Sequence, residues 1–220
     1  METALKSFLS EPRLLQLWCT LVILSLGALI YDLHARNPQV GRLMKWVWGL
    51  TTLYSGPLGL LVYAYSGRRQ IRRDSLWRRG FRSVAHCYSG CGAGEVVGVF
   101  IAAGLLSMGN LAVTVITFAL AYVFGYAMTV GPLLEQGVGL RRAVRDALYS
   151  ETASITVMEI SALTVNNWLS SGTHLGHVLF WTALIVSLSV GLIVAYPVNL
   201  LLIHYGVKQG MASPKSHTAA

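Results

Sequence analysis

Of the 220 residues, 54% are apolar and only 12% are charged, while 17 Lys and Arg against 9 Asp and Glu leave a net charge of +8. Stretches of about twenty apolar residues, each long enough for a roughly 30 Å hydrocarbon core, recur from end to end. A soluble domain, a disordered chain and a β-barrel of short alternating segments are excluded, and what remains is an all-α, polytopic bundle of transmembrane helices.

In chain order the sequence predicts six spans, at 14 to 33, 44 to 65, 84 to 107, 111 to 134, 151 to 170 and 178 to 204, making one transmembrane domain over 1 to 220. The first is too long for the apolar core of a secretory signal and has no small-residue cleavage motif after it, so it is read as a retained helix. Ser55-Gly56-Pro57 lies in the middle of the second and reads as a kink. The interval from 67 to 82 holds Arg68, Arg69, Arg72, Arg73, Arg78, Arg79 and Arg82. With Arg141, Arg142, Arg145, Lys6, Arg13, Lys208 and Lys215 on the same side, 14 cations oppose 3 (Arg36, Arg42 and Lys45), which places both termini inside. These cations flank spans and no recognition fold accompanies them, so nucleic acid is not the partner; anionic lipid head groups at the 68 to 82 loop are.

Span three opens with His86-Cys87-Tyr88-Ser89-Gly90-Cys91-Gly92-Ala93-Gly94-Glu95. Cys87, Cys91 and Glu95 follow at four-residue spacing and form one stripe; Gly90, Gly94, Gly98 and Ala102 form a second, whose small residues let another backbone approach. An imidazole, two thiols and a carboxylate are costly in hydrocarbon and mark a functional site there. Span five carries Glu151-Thr152-Ala153-Ser154-Ile155-Thr156-Val157-Met158-Glu159. Its eight-residue offset matches that of span three, so Glu151 pairs in depth with Cys87, and Glu159 with Glu95, about 12 Å further in. Three cysteines on the reducing side disfavour a structural disulfide. His86, Cys87, Cys91, Glu95, Glu151 and Glu159 are therefore candidate ligands for a soft metal, copper or zinc, with the carboxylates also able to share a proton. In span six, Tyr196-Pro197-Val198-Asn199 removes a backbone donor at Pro197.

These three ordered motifs, with Gly56-Pro57 and the closing Gly206, Lys208 and Met211, resemble the bacterial membrane family catalogued as domain of unknown function 4396. The resemblance implies a multi-pass protein of the bacterial inner membrane and supplies no activity. In that family's pattern Asp is common at the place of Glu151 and an aromatic at that of Met158, so Met158 is not counted as a ligand. Metal transport, handling or sensing is the leading functional expectation. A membrane enzyme using the Cys87 and Cys91 thiols or a metal and carboxylate, and a structural subunit of a larger complex, stay open. The sequence leaves oligomeric state open as well.

Overall fold

The computed structural model describes residues 2–71, 73–170 and 173–211, and among them it holds helices and no strand. Arg72 and Lys215, both counted above among the inner cations, lie outside the described residues. The helices are α1 (Glu2–Leu9), α2 (Pro12–Ala35), α3 (Arg42–Ser55), α4 (Pro57–Ser66), α5 (Leu76–Val99), continued by a π-helical stretch (Phe100–Leu105), α6 (Asn110–Glu135), α7 (Leu140–Ser170) and α8 (Val178–His204). Four helical stretches are long and apolar enough to cross a membrane: Pro12–Ala35, Leu76–Leu105, Asn110–Glu135 and Val178–His204. Helix α7 is the longest, at 31 residues, but the charges in its first half and at Glu151 and Glu159 dilute its apolar character.

Helix starts follow local chemistry. Pro12 opens α2 where a missing N–H costs nothing. Ser75 caps α5, its hydroxyl accepting from the Arg78 amide at 3.3 Å. That cap starts α5 eight residues before the span expected at 84, and draws Arg82 inside the fold.

The stretch from 44 to 65 is not one continuous helix. Gly56 takes φ +53°, a left-handed value that glycine tolerates, and the chain reverses there. α3 and α4 then run back along each other: a Cβ on Gly59 would stand 2.6 Å from the Thr51 carbonyl oxygen, and the Trp48 and Tyr63 rings meet edge to face at 5.5 Å. In one continuous helix Trp48 and Tyr63 would be about 22 Å apart. Arms of 14 and 10 residues reach only about 21 and 15 Å, short of the hydrocarbon thickness. The hairpin leans on α5 with Thr51 donating to the Ala85 carbonyl at 3.4 Å and Ser55 to the Tyr88 hydroxyl at 2.8 Å, so its tip stops halfway along α5. Its open end is tied to the end of α2. Asp32 accepts from the Tyr63 hydroxyl at 2.7 Å, from the Asn37 amide at 2.7 Å and from the Arg68 guanidinium, while Asn37 accepts from the Arg69 amide at 2.8 Å.

α5 to α8 form the core bundle. Gly90, Gly94 and Gly98 face α6, where an added Cβ on Gly94 would lie 2.4 Å from the Leu120 carbonyl oxygen, so the small-residue stripe is a close helix contact. α7 runs antiparallel to both α6 and α8, with the Tyr122 hydroxyl 2.5 Å from Thr156 and Asn199 of α8 donating to Ser154 at 2.6 Å. At one end of the bundle the Leu9 carbonyl accepts from Thr182 at the start of α8 (2.8 Å); at the other, Arg82 donates to the Met211 carbonyl (3.0 Å). From Thr182 to the end of α8 is about 33 Å, so the two ends of the described chain lie at opposite ends of the bundle rather than together as expected.

Candidate functional site

The polar residues of α5 and α7 meet in two layers. In the first, the Cys87 thiol donates to Glu151 Oε2 at 2.7 Å. The ammonium of Lys208, four residues beyond α8, reaches into the same spot. It donates to Glu151 Oε2 at 2.5 Å, Asn199 Oδ1 at 3.0 Å and Cys87 Sγ at 3.3 Å, which uses all three of its protons. Asn199 in turn donates to Ser154 Oγ (2.6 Å) and the Ala195 carbonyl (3.0 Å), and Ser154 stands 3.8 Å from Cys87 Sγ. Every member is buried. His86 borders this layer, its Nε2 3.5 Å from the Thr129 hydroxyl and its Nδ1 without a hydrogen bond.

About 12 Å deeper along α5, two turns on, lies the second layer. The Glu95 and Glu159 carboxyl groups sit within interaction range of each other, with the Cys91 thiol beside Glu159 and the Tyr54 ring of the hairpin near Glu95. Both are buried, at 4% and 0% exposure, so neither turns to lipid. Oε1 of Glu95 and both oxygens of Glu159 have no hydrogen-bond partner among the described residues. Carboxylate oxygens only accept. An unpartnered pair of them in a dry interior calls for a proton or another cation.

The six residues expected at one site are thus divided: His86, Cys87 and Glu151 in the first layer, Cys91, Glu95 and Glu159 in the second. Among the described residues no group of three or more His, Cys, Asp or Glu side chains is arranged to hold a metal ion. Cys87, Cys91 and Cys19 are all free thiols, Cys19 exposed on α2 away from both layers. The sequence marks Lys208 only as a cytoplasmic cation and a residue of the closing motif, and Asn199 only as the last residue of the Tyr196-Pro197-Val198-Asn199 motif beside the Pro197 kink. The nearest signal for Lys208 was that closing motif, because a lysine just past a span otherwise serves topology. The loop cations are also partly absorbed inside the protein. Arg82 is 1% exposed and bonded to Asp74, the Ser66 carbonyl and the Met211 carbonyl, and Arg68 is held by Asp32.

A family model described as "Domain of unknown function (DUF4396)" matches residues 76–208, more than half of the chain and the stretch from the first residue of α5 to Lys208. The chain belongs to this family. The DUF4396 region contains both polar layers, apart from the Tyr54 ring that the hairpin contributes. α1 to α4 precede it, so Gly56-Pro57 falls outside the matched stretch, as does Met211 beyond its end, both counted in the resemblance. No curated protein and no solved structure matches the chain.

Proposed function

We propose that this DUF4396 protein is a multi-pass membrane carrier for cations, in which Glu95 and Glu159 bind a proton between them and release it in exchange. The observation that carries this reading is the set of three buried, acceptor-only carboxylate oxygens that have no hydrogen-bond partner among the described residues. A structural carboxylate at this depth is normally paired; one that must exchange its partner is left open. Copper or zinc as the exchanged ion is a second reading, favoured by the Cys91 thiol beside Glu159, since sulfur next to a carboxylate suits a soft or borderline ion. Cys87 leaves the ligand set in this reading, because Lys208 and Glu151 occupy its thiol. A dithiol redox enzyme has less support, as the Cys87 thiol is engaged with Glu151 and Lys208 while Cys91 belongs to the other layer.

In vesicles containing an internal pH indicator, zinc or reduced copper added outside is expected to drive counter-movement of protons through the wild-type protein. Glu95→Gln and Glu159→Gln should each abolish it, and Cys91→Ser should weaken the response to metal. Proton movement that persists in both glutamine variants refutes the exchange role of the pair. Elemental analysis of the purified protein decides the metal: copper or zinc retained by wild type and lost in Cys91→Ser supports it, and absence of both removes the metal reading.

The membrane arrangement we propose has five crossings (α2, α5, α6, α7 and α8) plus the α3 and α4 hairpin dipping in from the inner face. Among the described residues, only Lys6 and Arg13 then face outward. Arg36, Arg42, Lys45, Arg68, Arg69, Arg73, Arg78, Arg79, Arg82, Arg141, Arg142, Arg145 and Lys208 lie toward the inner face. Over the described residues the expected split of 12 to 3 becomes 13 to 2, because the hairpin returns Arg36, Arg42 and Lys45 to the inner side while Lys6 and Arg13 move to the outer. In a cysteine-free background, Lys6→Cys should be labelled from outside by an impermeant reagent and Arg78→Cys only from inside. Labelling of both from the same side rules this topology out.

A further inference from the structure

We infer that Cys87, Glu151 and Asn199 form a cation-binding site at the inner mouth of the bundle, and that Lys208 fills it with a tethered ammonium which a free cation must displace. Three acceptors of different chemistry (a thiol sulfur, a carboxylate and an amide oxygen) converge on one point between α5, α7 and α8, and what stands there is a positive charge. That charge does not belong to the bundle's helices. It is carried by the short strap from 205 to 211, which leaves α8 at a positive-φ glycine, Gly206 (+73°), and turns again at Gly210 (+72°).

Besides the lysine side chain, Tyr205 N, Gly206 N and Lys208 N donate to the Leu201, Ile203 and Leu202 carbonyls at 2.9, 3.2 and 3.1 Å, which ties the start of the strap to α8. Further along, Arg79 donates to the Gln209 carbonyl at 2.5 Å and Arg82 to the Met211 carbonyl at 3.0 Å. Arg82 keeps two further partners, Asp74 and the Ser66 carbonyl, so it can release the strap and stay satisfied. A lysine fixed permanently would serve equally well from a helix. Its place on a strap between two glycine turns, latched by arginine to carbonyl bonds, makes it removable. With the ammonium withdrawn, the site would present a thiol, a carboxylate and an amide oxygen to a cation, and the thiol and carboxylate are zinc ligands. The site lies on the inner side of Glu95 and Glu159, but the inference stands on the mouth cluster alone.

The test uses the full chain in a Cys91→Ser background, which removes the deep thiol so that zinc reports the mouth. With Lys208 present, zinc uptake under reducing conditions should be low. Lys208→Ala should take up zinc, n-butylammonium should compete for it, and adding Cys87→Ser or Glu151→Gln should abolish it. If Lys208→Ala keeps its helical content and monodisperse elution yet takes up no more zinc than the parent, or if uptake survives Cys87→Ser, the site is refuted. Should Lys208→Ala fail to fold, Arg79→Ala decides instead. Loss of one charged hydrogen bond on the strap should speed alkylation of Cys87 by N-ethylmaleimide about tenfold. An unchanged rate overturns the proposal.

Discussion

Lys208→Met alone should lower unfolding stability by about 3–5 kcal/mol, since it strands the Glu151 charge in a site with 3% exposure. Glu151→Gln alone should cost a similar amount by stranding the ammonium. The double variant Lys208→Met with Glu151→Gln should recover most of the loss. A buried ion pair contributes little beyond what its own desolvation costs, so removing both charges is far milder than removing one. The measurement is a double-mutant cycle by SDS titration of the purified protein in detergent micelles. A double variant as unstable as the sum of the singles would mean that the two charges do not act on each other. Cys87→Ser should be the mild member of the series, because a hydroxyl can still donate to Glu151.

Gly94→Ala should be the most damaging of the α5 glycine substitutions to alanine on the face toward α6. The new methyl group would run into the Leu120–Ala121 peptide of α6, at 2.4 Å from the Leu120 carbonyl oxygen and 2.6 Å from the Ala121 N and Cα, and backbone cannot step aside as a side chain can. Separating two packed helices should cost about 1–3 kcal/mol or more. It should also disturb the deep layer, because Glu95 is the next residue. Gly27→Ala on α2 is the control. Nothing lies within 4 Å of its new methyl group, and a helical glycine replaced by alanine without strain should gain about 0.4–1 kcal/mol. If Gly94→Ala behaves like Gly27→Ala, the glycine stripe does not set the distance between α5 and α6.

Membrane character, the helical class and the chemical content of the site were readable because they depend on composition and on spacing within one helix. Cys87 and Cys91 share a face of α5 wherever that helix goes, and an equal eight-residue offset in α7 placed Glu151 beside Cys87 and Glu159 beside Glu95 before any packing was known. The glycine stripe announced a close neighbour in the same way. It did not say which helix: α6 takes that face, while the hairpin packs Tyr54 against Gly92 on the other.

Three features were decided only by the tertiary structure. The stretch from 44 to 65 has the length and hydropathy of a span, and Ser55-Gly56-Pro57 is compatible with a mild kink or a full reversal. The choice is made by what the two arms can bury, Trp48 against Tyr63 and Thr51 against Gly59, and by Asp32 gathering Tyr63 and Arg68 at the open end. Lys208 looks in the sequence like any lysine after a span, because hydropathy cannot tell a charge facing lipid head groups from one folded back into the bundle. Its partners lie 9, 57 and 121 residues away, and two of them come from other helices. The division of the six expected ligands into two layers follows from the same cause. Spacing along a helix fixes which residues share a face and a depth, whereas the groups that satisfy them, a tethered ammonium for Cys87 and Glu151 and, among the described residues, no hydrogen bond for Glu159, depend on how distant segments pack.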